Sequence, residues 1–438
     1  MTADLRSVPV APGRIPLLGH VLPLWRRPFS FLTSLRDAGE LVRVDVGTLP
    51  IYIATTAELT NEILVTKVHS FDKGRIFERA RSLVGEGLLT AGTEVHRRHR
   101  RIMQPMFHHT RIAQYAEVMS KQARAIAESW KPGQRIAVHK AMFEFTVATL
   151  TETMFSTKLG HSTARQVIED VPTIVKYILL RGITPKALER LPIPTNRNFD
   201  AAAARLLRTV NEAIMATRQS GDMSETDLLT TLLTARDADT GEGLTDSEVR
   251  DEIVTLMIAG TETAANTLAW TFYELARHPE VHKRLVEEVD SVVGTRPVTI
   301  DDVPKLEYTR QVFDEGVRLH AVTLLMRRTT EPVEFGGFHL PKGTEVAFSP
   351  YALHRDPRFF PDPERFDPDR WLPERRKTVP KHAYIPFSAG IRKCIGDSFG
   401  WTESIIAIAT IVSRWELHPV PGVPVKEVVA AVPHPHQL

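Results

Sequence analysis

The chain has 438 residues and a single cysteine, Cys394. It stands in the run Phe387-Ser388-Ala389-Gly390-Ile391-Arg392-Lys393-Cys394-Ile395-Gly396, a glycine-bracketed loop just ahead of a helical stretch over 397–413. A thiolate near a helix N-terminus is stabilised by the dipole and free N–H groups of that end. Glycines at both ends of the loop allow tight turns and close backbone approach. Phe387 can shield the sulfur from water, and Arg392 places a cation two residues from it. By residue type, Cys394 can be a buried inert thiol, a nucleophile with His382 as the nearest base, or a metal ligand. One cysteine cannot form an intrachain disulfide, a Cys-rich zinc site or an iron–sulfur cluster, and it fits a reducing compartment.

Three other constellations could do chemistry. Ala259-Gly260-Thr261-Glu262-Thr263 sets a carboxyl and two hydroxyls beside a glycine inside a helical pattern. Such groups are ordinary polar helix positions or a route for protons, and a glycine there costs ~1 kcal/mol relative to alanine, which something must offset. Glu315 and Arg318 are three apart and share a helix face; this is either a surface pair worth ~0–1 kcal/mol or part of a buried scaffold. The basic run from His96 to Arg101 is a solvated helix face or a clamp for an anion.

The elements that must position these residues are mostly helical. Periodicity marks helices at 111–130, 138–157, 201–219 and 245–277. In the last, Thr245-Asp246-Ser247-Glu248 is a capping box, and Pro279 stops the helix and opens the next, which Gly294 closes. A helix of that length, against a norm of ~11–12 residues, should cross its whole domain. Alternating apolar residues over 41–55 around Gly47 and Pro50 predict a hairpin, and a second β region runs over 333–348. The expected fold is mainly α with a smaller β region, in a single domain over 1–438, since no linker, repeat or charge block divides the chain. The net charge of +2 is too small to imply nucleic acid. The Pro-punctuated segment 1–20 has no apolar core of signal-peptide length, and no uncharged apolar run reaches ~18 residues. A cytoplasmic protein without a membrane anchor is the expectation.

The cysteine loop matches F-x-x-G-x-R-x-C-x-G at every fixed position and so resembles the haem-binding loop of the cytochrome P450 family. The resemblance implies haem b (iron protoporphyrin IX) buried between the long helix and the cysteine loop, with Cys394 as the axial thiolate that favours O–O cleavage. Residues 259–263 resemble the family's A-G-x-[DE]-T segment. Gly260 would then let haem and oxygen approach, Thr263 would hold the activated oxygen and its proton-carrying water, and Glu262 would relay protons. Phe366-Asp367-Pro368-Asp369-Arg370-Trp371 resembles F-x-P-x-R-F, which implies a structural triad of Glu315, Arg318 and Arg370 behind the cysteine loop. His96 and Arg100 match the H-x-x-x-R variant that holds haem propionates. Arg392 would pair with a propionate, as would Arg328, with Arg327 its close competitor.

Resemblance to the family also implies O2 as co-substrate. No G-x-G-x-x-G fingerprint lies between a strand and a helix, so electrons should come through a separate ferredoxin and reductase, with Arg97, Arg98, Arg101 and Lys393 as a docking patch. Pocket walls would come from 76–89, 177–194, 257–263 and 322–326, with 172–200 as a lid; these are mostly aliphatic and suit an apolar substrate. The runs 12–20, 71–74 and 96–107 resemble soluble actinobacterial terpene-oxidising members. They imply hydroxylation of a cyclic sesqui- or diterpene by a monomer in secondary metabolism. A fatty acid, steroid or polyketide is the alternative substrate, and a haem protein that does not activate O2 the alternative function.

Overall fold

Alternation along short strands builds the β part of the protein, and one very long helix organises the α part. The computed structural model describes residues 3–155, 157–184, 189, 191–221, 227–436 and 438. The chain divides into two compact units, one made of Met1–Arg79, Val317–Cys394 and Val429–Pro433, the other of Ala80–Gly316, Ile395–Val428 and His434–Leu438.

The first unit holds strands β1 (Ala3–Asp4), β2 (Leu41–Val46), β3 (Leu49–Ala54), β4 (Phe71–Lys73), β5 (Leu325–Thr329), β6 (Val333–Phe335), β7 (Phe338–Leu340) and β8 (Glu345–Phe348). Five of them form a sheet in the order β2-β3-β8-β5-β4, and the others form a small sheet in the order β1-β7-β6. The expected hairpin is β2–β3, with Gly47 in the left-handed region at its turn, φ 61°. Side chains alternate across a strand, so each face of the larger sheet has its own core. Val42, Val44, Ile51, Ile53, Met326 and Ala347 pack with Phe31, Leu32 and Leu35. On the other face Leu41, Tyr52, Val346 and Phe348 pack with Leu59, Ile63 and Leu64. Each such aliphatic or aromatic side chain contributes ~1.5–3 kcal/mol on burial.

The second unit contains helices numbered along the chain as α1 (Thr93–Met103), α2 (His109–Ser129), α3 (Val138–Met154), α4 (Thr157–Ile183), α5 (Pro194–Ser220), α6 (Leu228–Thr234), α7 (Asp246–Arg277), α8 (Pro279–Val292) and α9 (Asp397–Val412). Helix α7 is 32 residues long and carries the expected capping box. The Glu248 carboxylate accepts from the Thr245 N–H at 2.8 Å, and the Thr245 hydroxyl accepts from the Glu248 N–H at 3.3 Å. At 1.5 Å per residue its axis runs for ~48 Å. It packs against α3, α5, α8 and α9, and the unit's short hairpin of β9 (Lys426–Val428) and β10 (His434–His436) also touches it.

Two helices depart from the expected limits. Helix α5 begins at Pro194, ahead of the expected 201, because Pro194 is favourable at the first helical position and Asn196 and Phe199 are already buried. Helix α4 continues through Pro172, which the periodicity did not anticipate. Both helices contribute to the proposed lid 172–200, of which residues 185–188 and 190 lie outside the described residues.

Candidate active site

In the first unit the cysteine loop is closed on itself. The Cys394 N–H donates to the Phe387 carbonyl at 2.9 Å, and a single 3-10 turn, Gly390–Arg392, lies between. Gly390 has φ 68°, and a Cβ on it would come within 1.9 Å of the Leu64 carbonyl oxygen. The glycine is therefore demanded by both conformation and space. Gly396 is different: a Cβ there would only touch Phe107 at 3.8 Å. Cys394 is exposed and is in no disulfide.

Beside this loop lies a concentration of positive charge. Arg392 has its side chain almost wholly buried, with Nη2 2.6 Å from the Asp72 carboxylate. Strand pairing sets Lys73 opposite Arg327. The Arg327 guanidinium is buried and donates to the Met326 carbonyl at 2.8 Å. Burial, followed by the charge of Arg392, brings Arg327 down to about 10. Burial, with Arg327 and Arg392 adding to it, holds the Lys73 ammonium well below its ordinary range. Three deep basic side chains thus lie around the carboxylate of Asp72, with Arg392 in direct contact with it. The neighbouring Arg328 behaves otherwise. It meets Glu345 at 2.6 Å and Glu78 at 2.8 Å, so two carboxylates already engage it.

Two further arginines of this unit hold backbone. Arg318, fully buried, donates to the carbonyls of His354, Pro363 and Arg365 at 2.9, 2.8 and 3.1 Å. Arg370 donates to the Asp362 carbonyl at 2.7 Å. Both side chains therefore tie down the irregular segment over 354–372. Glu315 is fully buried on the same Glu307–Leu319 helix as Arg318.

In the second unit α1 carries His96, buried, and Arg100, half-buried, one turn apart. The rest of the basic run is committed to carboxylates of the same unit. Arg98 pairs with Glu248 at 2.7 Å, Arg101 with Asp237 at 2.7 Å and Asp239 at 2.6 Å, and the exposed Arg97 with Glu94 at 2.7 Å. His99 is fully enclosed, with Nδ1 2.6 Å from Glu252 and Nε2 3.3 Å from Glu248. The guanidinium groups of the expected docking patch, Arg97, Arg98 and Arg101, thus each meet a carboxylate. Neutralised guanidinium groups offer an acidic partner little.

Helix α7 presents the proton-handling pair. The Thr263 hydroxyl donates to the Ala259 carbonyl at 2.7 Å, so what it offers outward is an acceptor. The Oε2 of Glu262 is buried and has no hydrogen-bonding partner among the described residues. Burial alone pushes this carboxyl up to about 7, so it is half-protonated at neutral pH, where an acid–base group works best. Gly260 also has a packing reason, since a Cβ on it would come 3.2 Å from Leu150 of α3. Helix α7 runs unbroken through this point, from Asp246 to Arg277.

A family model for cytochrome P450 matches residues 9–432. The chain belongs to the cytochrome P450 family. It is 44% identical to cyclooctat-9-en-7-ol 5-monooxygenase of Streptomyces melanosporofaciens, over 94% of this chain and 90% of that protein. It is 41% identical to cyclooctatin synthase of the same organism, over 95% and 91%, and 38% identical to pentalenene oxygenase of Streptomyces avermitilis, over 98% and 95%. The protein is a P450 oxidoreductase and its cofactor is haem b.

The residues present fit that cofactor. A lone thiol in no disulfide, on a closed loop, suits a single bond to iron, and the cofactor's carboxylates would meet the excess of basic side chains that Lys73, Arg327 and Arg392 leave beside Asp72. Sequence reasoning overlooked Lys73. Its signal lay in the run Phe71-Asp72-Lys73-Gly74, whose alternation with Arg327 across two strands only the register reveals.

Proposed function

We propose that this cytochrome P450 inserts one atom of O2 into a cyclic sesqui- or diterpene, with electrons from a separate ferredoxin and reductase. The observation that carries the reading is whole-chain similarity to three Streptomyces proteins whose names give terpene-type oxidations. When bound, the haem activates dioxygen with two electrons and two protons, leaving one oxygen atom in the product and the other in water. Cys394 would supply the thiolate that binds the haem iron, favoured by the N-terminus of the helix that begins three residues on. Arg392 and Arg327, with Lys73 in support, would hold the propionates, and His96 and Arg100 would serve the same end by their match to the H-x-x-x-R motif. Arg327 replaces Arg328 in this role because Arg328 is engaged by Glu78 and Glu345. Thr263 accepts a hydrogen bond from water and orients it. Glu262, protonated about half the time at neutral pH, passes a proton to that water and is recharged from solvent. Glu315, Arg318 and Arg370 keep the cysteine loop in place, and Phe387 shields the sulfur.

Soret titration of the ferric holoenzyme with cyclic terpenes, fatty acids and steroids tests the substrate. A shift to high spin with cyclic terpenes, followed by a hydroxylated product in a ferredoxin-supported reaction, is expected. A shift confined to fatty acids or steroids would overturn the terpene reading and leave the monooxygenase intact.

A further inference from the structure

The N-terminal part of the first unit exposes apolar side chains that a folded protein normally hides. Leu17 is 88% exposed and Trp25 78%, with Leu18 and Val21 also at the surface. Isolated exposed hydrophobes are ordinary, but four within nine residues of one well-ordered segment are a concentration of the kind that marks a contact surface. They do not sit on a loose tail. Ile15 and Gly19 exchange two backbone hydrogen bonds of 2.8 Å, the Gly47 N–H donates to the Leu18 carbonyl, and the His20 N–H to the Asp45 carbonyl. The buried His20 ring adds contacts at 2.8 Å to the Ala11 carbonyl and 2.9 Å to the Asp45 N–H. At the tip Leu17 adopts φ 64°, a left-handed conformation unfavourable for a leucine. The turn thus holds a large apolar side chain out in water at a conformational cost. Trp25 follows on the short helix Val21–Arg26.

Charge says what covers it. From Leu5 to Arg36 there is no aspartate or glutamate, while Arg6, Arg14, Arg26, Arg27 and Arg36 are all present. Arg14 is paired with Asp45, and Arg36 donates to the Arg355 carbonyl. Arg26 and Arg27 follow Trp25 directly, are exposed, and meet no carboxylate among the described residues. Leucine and tryptophan at the centre with arginine at the rim is the composition of a lipid-interface contact. The apolar groups enter the headgroup boundary, tryptophan stays at its level, and the arginines meet anionic headgroups. No described helix is long and apolar enough to cross a membrane, so the contact is peripheral.

We propose that the surface formed by Leu17, Leu18, Val21 and Trp25, rimmed by Arg26 and Arg27, docks this enzyme reversibly onto an anionic lipid bilayer. The docking is independent of which hydrocarbon the enzyme oxidises. Each arginine near an anionic surface strengthens binding about fivefold at moderate salt, and the effect fades as salt shortens the screening length.

The test is sedimentation of the holoenzyme with vesicles of phosphatidylcholine alone and of equal phosphatidylcholine and phosphatidylglycerol. Wild type should sediment with the mixed vesicles and remain in solution with phosphatidylcholine alone. Leu17→Ser/Trp25→Ser should weaken binding at least about tenfold. Arg26→Gln/Arg27→Gln should weaken it similarly and flatten its salt dependence. Each variant's Soret spectrum and haem content should match wild type, showing that the fold is kept. If a variant does not fold, quenching of Trp25 fluorescence by brominated lipid, read as wild type minus Trp25→Phe, replaces it. Failure of wild type to sediment with the mixed vesicles, or binding that both variants leave unchanged, would overturn the proposal. So would a wild-type dimer that Leu17→Ser/Trp25→Ser converts to monomer, since the patch would then be covered by a second copy.

Discussion

Arg327 and Arg328 are consecutive on β5, and the alternation of the strand sends them into opposite surroundings. The first is buried with Lys73 across the strand pair and Arg392 nearby, all around Asp72, while the second is locked between Glu78 and Glu345. Loss of the two side chains should therefore have separable effects. Arg327→Gln should speed haem loss to an apoglobin acceptor at least about tenfold, since a hydrogen bond to a charged group is worth ~1.5–3 kcal/mol. Arg328→Gln should leave haem loss nearly unchanged and lower the unfolding temperature, because it strands the buried Glu345. Faster haem loss in Arg328→Gln than in Arg327→Gln would reverse the assignment.

What the sequence made legible depended on how local the cause was. The limits of α7 were readable because its capping box and following proline lie within the helix and its flanks. The cysteine loop was readable because the pattern from Phe387 to Gly396 is contiguous, although only the structure separates Gly390, where Leu64 forbids a side chain, from Gly396. The ion pairs of Arg98 and Arg101 were not legible in the sequence. Their partners Glu248 and Asp237 lie more than a hundred residues away in sequence, and only the packing of α1 joins them. Lys73 and Arg327 were obscured for the same reason, since strand register is a tertiary fact.

Thr263 donates its hydroxyl proton to the Ala259 carbonyl, so its remaining capacity is to accept. Thr263→Ala removes that acceptor without changing the helix. Product formed per NADPH consumed should fall about fivefold, the value of one hydrogen bond near 1 kcal/mol. Thr263→Ser should recover most of the coupling. Equal coupling in wild type and Thr263→Ala would remove this residue from oxygen activation.

Glu262 should give both a pH-rate limb and a stability slope. Its folded-state value of about 7 lies above that of an unfolded glutamate because burial disfavours the carboxylate. The folded protein therefore holds a proton that the unfolded chain has released between pH ~4.5 and ~7. Folded stability is full below that window and declines as pH rises through it, by up to about 3 kcal/mol. Glu262→Gln should abolish this decline in denaturant titrations run across the window. Coupled turnover in wild type should fall as pH rises above about 7, as the donor form is lost. The same pH limb in the Glu262→Gln variant would place that titration elsewhere.

His99 and Glu252 form a fully buried pair that joins α1, bearing His96 and Arg100, to the first turns of α7. Burial opposes the charge on His99, and the hydrogen bonds that its ring donates to Glu252 and Glu248 overcome it, so the imidazole is held above its ordinary value. Such a raised group stabilises the fold fully below the unfolded value near 6.5, and that contribution disappears as pH rises through the folded value. His99→Leu should cost about 3–5 kcal/mol below pH 6.5, because it leaves Glu252 buried without its cation. His99→Leu/Glu252→Leu should recover most of that loss, since two apolar groups of similar volume need no desolvated charge between them. Chemical denaturation of the wild type, both single variants and the double variant measures the coupling. A double variant no more stable than His99→Leu would mean that the pair holds α1 in place by shape rather than by charge.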